Sequence, residues 1–292
     1  MESDASYESL LPRVTASTPL VAEALVGAAA RRAKRLAVLA GGMRLRGLEE
    51  LLGFLDAAKT AYASDAVLES IAFLIDRVRA DFVTAIEASL SGYQAVAADT
   101  MRDVMEIEAL LTYFAAYPED VSEWLTSDSG ARRKKFAPVK VREKLEKAGI
   151  SPWADDFYAP TDYKAHSEEL HVNPSRSLLR ERGLDDDGFF LIPDIGFMEM
   201  FEHGQRIVTA IELLRLTRMP DQTDWTPLVP GDDFMAAHER TAENQTLLVA
   251  LVEAPEVLQK QLGRDPSPAE TLRYMAAQLR ARGPRRYEPN ES

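Results

Sequence analysis

The sequence predicts an all-α multi-helix bundle with a C-terminal helical pair, and three observations carry that prediction. Apolar residues recur at three- and four-residue spacing through most of the long segments, the period of a helix with one buried stripe. Proline, glycine, Ser/Thr and Asp punctuate those segments where helices start and stop. No stretch alternates apolar and polar residues in the manner of a half-buried strand.

Taken in order, residues 1–17 are polar and read as a flexible arm. Thr18-Pro19 offers a capping hydroxyl and a proline at the first helical position. The alanine-rich helix that follows carries Arg31, Arg32, Lys34 and Arg35 in its second half and stops at Gly41-Gly42. The negative end of that helix's own dipole accounts for those cations. A second helix runs from about Arg44 to Tyr62.

Ser64-Asp65 opens the clearest amphipathic pattern, in which Val67, Leu68, Ile71, Leu74, Ile75, Val78, Phe82, Ile86 and Leu90 keep helical spacing until Gly92. The next helix, about Tyr93 to Tyr117, is apolar nearly all round from Met101 onward. A helix of that kind is surrounded by protein. Pro118-Glu119-Asp120 starts a short helix over Val121–Leu125, and a basic, solvated connector follows.

Thr161 caps a short helix that Asn173-Pro174 ends, since proline disfavours helical geometry in the residue before it. Residues 174–194 read as irregular. A long helix covers about Ile195 to Met219, and a proline-punctuated loop runs from Met219-Pro220 to Pro230-Gly231. Asp232 caps a helix reaching about Glu253, where Ala254-Pro255 breaks it. The last helix has a full capping box, with Ser267 as cap, Pro268 first and Glu270 third, and ends at Arg282-Gly283-Pro284. The expected organisation is an arm (1–17), a main bundle (18–219) and a helical extension (231–283) packed on the bundle or on a partner subunit.

Composition excludes several chemistries. Cysteine is absent from the 292 residues, which removes disulfides, thiolate nucleophiles, cysteine zinc sites and iron–sulfur clusters. No apolar run approaches the roughly 18–20 residues that span a bilayer, so no membrane partner is expected. The acidic start Met1-Glu-Ser-Asp lacks a secretory pattern, and a cytoplasmic location is expected. A net charge of −13 argues against a surface that clasps nucleic acid as a whole. One local exception lies between Arg132 and Lys147, where eight basic residues face only Glu143 and Glu146. Arg132, Arg133, Lys134 and Lys135 are its candidate phosphate-binding residues, and they admit nucleic acid as a weakly supported partner. A solvated connector that meets acidic faces of its own chain or a sister subunit is the plainer reading.

The candidate polar site lies on two predicted helices. Tyr163, Ser167 and His171 recur every four residues and form one stripe. Arg102 and Glu106, also four apart, sit in the helix expected to be buried, where a pair needs partners beyond itself. If the helices pack, glutamate accepts from histidine or serine while arginine anchors the carboxylate. That cluster is either a network fixing helix register or a site. Glu168-x-x-His171 is half of a di-iron carboxylate motif with no second copy, so no metal and no cofactor are expected. The Arg-x4–6-His signature of HEPN ribonucleases is missing at every histidine, and Arg176 follows His171 rather than preceding it. Serine elbows and phosphate-cradling glycine loops are absent.

Arg102-x-x-x-Glu106, Tyr113, Pro118-Glu119 and then Tyr163-x-x-x-Ser167-x-x-x-His171 resemble a bacterial all-helical domain family of unknown function, over roughly residues 65–215. The resemblance implies a helical fold and a shared polar cluster, and no known activity. With no complete catalytic motif, the expected function is a non-enzymatic helical module for self-association or for binding another protein. The alternative is an enzyme or ligand binder built on the five-residue polar cluster, for a phosphorylated or nucleic-acid substrate.

Overall fold

A computed structural model describes residues 7–149, 191–218, 226–240 and 254–267, with residues 270 and 274. Among these, all regular structure is helical. In chain order the helices are α1 (Tyr7–Ser17), α2 (Pro19–Leu39), α3 (Met43–Tyr62), α4 (Ala66–Ile71), α5 (Phe73–Ser91), α6 (Gln94–Ala116), α7 (Asp120–Thr126), α8 (Ser129–Phe136), α9 (Pro138–Lys147) and α10 (Leu191–Arg218). A further helix, α11, covers residues 232–240, and α12 is Ala254–Leu262.

The bundle is built around α6. Its longest shared surface is with α10, followed by α5, and α9 closes another side. Met101, Val104, Met105, Ile107, Leu111, Tyr113 and Phe114 are all buried, as a helix apolar round its circumference requires. On α3, Leu51, Leu55, Ala58 and Tyr62 fall at spacings of four, three and four and are fully buried. Each large aliphatic side chain removed from water in this way contributes roughly 1.5–3 kcal/mol. Tyr62 keeps its hydroxyl satisfied by donating to the Ile211 carbonyl of α10, at 3.1 Å.

The long amphipathic pattern after Asp65 forms α4 and α5, interrupted only at Ala72, which keeps right-handed helical angles. Asp65 caps it by accepting from the backbone N–H groups of Val67 and Leu68, and Arg218 at the end of α10 pairs with the same carboxylate at 3.1 Å. Glycine is required where α5 ends. Gly92 has φ of +88°, and a Cβ there would lie 2.7 Å from Arg31 Nε.

Several expectations are corrected. Residues 7–17 are helical, because Leu10, Leu11 and Val14 carry helical spacing and α1 packs on α2. The Thr18 hydroxyl donates back to the Val14 carbonyl instead of capping α2. The cations of α2 serve a different helix end. Arg31 Nε donates to the Ser91 carbonyl at 2.8 Å, and Arg35 donates to the carbonyls of Ser89 and Leu90. They satisfy the orphan acceptors at the C-terminus of α5. The basic connector is helical. It forms α8, capped by Asp128 at the Ala131 N–H, and α9, opened by Pro138.

The helix α10 begins at Leu191, inside the stretch expected to be irregular, with Pro193 in its first turn. Ala254-Pro255 opens α12, where proline near a helix start loses no intrahelical bond, and the helix end expected before it lies outside the described residues. The box at Ser267 is present, with Ser267 N donating to Glu270 and Glu270 N donating to Ser267 Oγ.

The segment after residue 225 is fastened at two places. Arg215, buried at the end of α10, pairs with Glu212 and donates to the Thr226 carbonyl at 2.8 Å. Farther on, Glu50 of α3 accepts from Phe234 N at 2.8 Å, and Arg46 pairs with Asp233 at 2.6 Å. Phe234 is fully buried with its ring 5.6 Å from that of Phe201.

Candidate functional site

Two of the five residues of the predicted polar cluster belong to the described structure. Arg102 and Glu106 lie one turn apart on α6, with Nε 3.5 Å from Oε1, each about 30% exposed. Tyr163, Ser167 and His171 lie outside the described residues. On α10, the helix sharing the largest surface with α6, Glu199, Glu202, His203 and Arg206 recur at helical spacing. Arg206 pairs with Glu202 at 3.5 Å. His203 is fully buried, and so, at 3% exposure, is Glu108 of α6. Charges placed this deep are held by compensating contacts or cost several kcal/mol each, on the order of 3–5 when one partner is lost. Motif reasoning passed over the α10 residues, because His203 fits neither the metal nor the ribonuclease spacing. Their signal was the i, i+3, i+4, i+7 recurrence of polar groups within an otherwise apolar helix.

No group of three or more His, Asp or Glu side chains among the described residues is placed to hold a metal ion. No helix among them is long and apolar enough to cross a membrane.

The predicted basic strip separates into distinct jobs. Arg132 donates to the carbonyls of Trp124 and Ser127 and lies over the Trp124 ring at 5.7 Å, finishing the C-terminus of α7. Lys135 bridges Asp120 at 2.8 Å and Glu123 at 2.6 Å. Arg133 and Lys134 are exposed. Of the four, Lys134 and Lys135 line a cleft of ≈ 560 Å³, together with Lys140, Lys144 and Lys147 of α9. The three α9 lysines sit at i, i+4 and i+7, so one helical face carries them all. Their spacing was visible in the sequence, though the adjacent run in α8 drew the assignment.

Beneath the cleft the cations rest on aromatic residues. Lys144 Nζ donates to the Tyr113 hydroxyl at 2.7 Å and lies 4.7 Å from that ring's centroid and 5.8 Å from Phe136's. The Tyr113 hydroxyl donates in turn to Asp120. Burial and the neighbouring Asp120 carboxylate push the Tyr113 hydroxyl well above its usual range. Burial works to raise Asp120 too, but the hydrogen bonds from Lys135 and Tyr113 outweigh it and hold the carboxyl below the usual range. The result is a fixed anion–phenol–cation relay that orients Lys144 toward the cleft without a carboxylate of its own.

The fold and these two polar regions define an all-α helical bundle protein. The chain matches no family model, no curated protein and no solved structure.

Proposed function

We propose that this is a cytoplasmic, non-enzymatic helical module that self-associates through α1 and α2. The observation that supports this reading is the surface of α2. From Pro19 to Ala30 the helix holds a single charge, Glu23, yet Leu20 is 80% exposed and Val21 53%, with Leu25 and Val26 exposed beside them. In α2 as a whole only Ala22, Ala28 and Leu39 are buried. A helix this apolar is normally covered, and contiguous exposed apolar surface marks an interaction face. A second copy fits because the first half of α2, with Glu23 its single charge, carries little of the repulsion expected between chains of net charge −13. Such a face can pair with itself about a two-fold axis.

Light scattering coupled to size exclusion tests the reading. The wild-type chain should run at twice its monomer mass, and Leu20→Asp with Leu25→Asp should return it to the monomer with unchanged circular dichroism. A wild-type monomer at every concentration would overturn self-association.

A second reading, a ligand binder or enzyme, draws support from two buried polar residues, His203 of α10 and Glu108 of α6, the helix that also carries the Arg102–Glu106 pair. In that case Glu108→Gln should abolish ligand binding with little change in melting temperature. A large loss of stability alone would assign these residues to a register-fixing network.

A further inference from the structure

The cleft between α8 and α9 holds a concentration of positive charge that the bundle does not need. Five lysines line it against two glutamates, in a chain whose acids outnumber its bases by 13. Two of the five are neutralised locally, Lys135 by Asp120 and Glu123 and Lys140 by Glu143 at 2.8 Å. The other three make no ion pair among the described residues, although Glu143 lies within electrostatic reach of Lys147 and Asp120 of Lys144. Lys144 is held by a phenol and two rings. Lys134 and Lys147 are both exposed. Elsewhere on the bundle, Arg46, Arg77, Arg79, Arg215 and Arg218 each pair with a carboxylate.

We infer that this cleft is a binding site for a small ligand bearing several phosphate groups, gripped by Lys134, Lys144 and Lys147. The volume of ≈ 560 Å³ falls in the range of small-molecule sites. Lysine ammonium groups act as point charges that suit clustered phosphate oxygens, whereas a planar carboxylate is better met by the arginine fork. No aromatic side chain lines the cleft; Tyr113 and Phe136 are buried. A single nucleic-acid strand relies on such rings for base stacking, so a compact polyanion is the better match. Lys144 is positioned before the ligand arrives by its bond to Tyr113, which lowers the ordering cost of binding.

The test is isothermal titration of the full chain with sodium tripolyphosphate at low salt, with adenosine triphosphate as a parallel ligand. One equivalent should bind, weakening steeply as salt is added. Lys134→Ala and Lys147→Ala should each reduce affinity about tenfold, and both side chains are exposed. Arg133→Ala removes the same charge from α8 outside the cleft and should leave affinity nearly unchanged. Equal affinity for adenosine triphosphate would identify the phosphate chain as the recognised part, and tighter binding would add a contribution from the nucleoside. The inference is overturned by an absence of saturable binding. It is equally overturned if Arg133→Ala weakens binding as much as the cleft variants do, or if a single-stranded oligonucleotide outcompetes both ligands.

Discussion

Asp81 should make this bundle lose stability as pH rises toward neutrality, opposite to the usual behaviour of a carboxylate. The residue lies on α5, with Asp103 of α6 as its neighbouring carboxyl group. Asp103 is already committed to Arg77, which donates to it from Nε and, at 2.6 Å, from a terminal nitrogen. Burial, the hydrogen bond to Asp103 and the negative charges of Asp103 and Asp99 together raise Asp81 to about 7, against the opposing pull of Arg77. In the unfolded chain the group titrates near 3.8. Between those values the native state binds the extra proton. Stability is therefore full below about pH 4, falls through the window up to about pH 7 and is level above it.

The whole shift corresponds to ~4 kcal/mol at 1.36 kcal/mol per unit. Asp81 is only half-buried and water screens it, so ~1–2 kcal/mol is the expected loss. Asp81→Asn keeps a donor for Asp103 and cannot ionise. It should match the wild type near pH 4 and exceed it by ~1–2 kcal/mol at pH 8. Urea unfolding from pH 4 to 9 measures this as a difference between the two proteins. The difference cancels His238, which burial lowers and which contributes a loss of stability on acidification. It also cancels Asp65 and Asp233, whose depressed values place their losses at more acidic pH. Parallel pH profiles, or an Asn variant less stable at pH 8, would refute this account.

Two further predictions concern packing and the relay. Gly47→Ala should destabilise by about 1–3 kcal/mol, because a Cβ there meets the Asp233 carbonyl and Phe201 at 3.0 Å and Phe234 Cα at 3.1 Å. Gly53→Ala, on the same helix with nothing within 4 Å, should instead stabilise by up to ~1 kcal/mol through helix propensity. Thermal melts of the pair measure the contrast, and hydrogen exchange over residues 232–240 should quicken only in the first variant. Tyr113→Phe should cost about 1–2 kcal/mol, by leaving Lys144 and Asp120 each short of a partner. Adding Lys144→Met should restore part of that loss in chemical denaturation.

The helices whose burial decides their existence were legible in the sequence. Leu51, Leu55, Ala58 and Tyr62 in α3, and Ile75, Val78, Phe82 and Ala85 in α5, repeat at helical spacing because one face of each enters the core. Among the missed helices that cause is slight: α9 buries only Val141 and Leu145. In α8 only Phe136 is buried, and the helix depends on the Asp128 cap and on Phe136 reaching the Tyr113 ring. Partner choice was also beyond reading. Local rules gave Arg31 and Arg35 to the dipole of their own helix, while the fold brings the C-terminus of α5 within their reach. For the candidate site, Arg102 and Glu106 could be paired from their spacing alone. His203 could not be weighed, because its significance depends on full burial and no motif encodes burial.

The same distinction governs the lysine cleft. Net charge reports the sum over the chain, whereas recognition depends on which cations lack a carboxylate where they stand. The sequence shows eight basic residues in a row of sixteen, and the fold spends Arg132 on helix carbonyls and Lys135 and Lys140 on carboxylates. What remains is smaller than the strip but directional, because Tyr113 anchors Lys144 from the most buried helix of the bundle. Core and cleft are thereby linked through one hydroxyl. Tyr113→Phe should accordingly weaken tripolyphosphate binding even at temperatures where the variant is fully folded, since Lys144 loses the bond that orients it. If affinity survived that substitution intact, Lys144 would be a spectator and the cleft would rest on Lys134 and Lys147 alone.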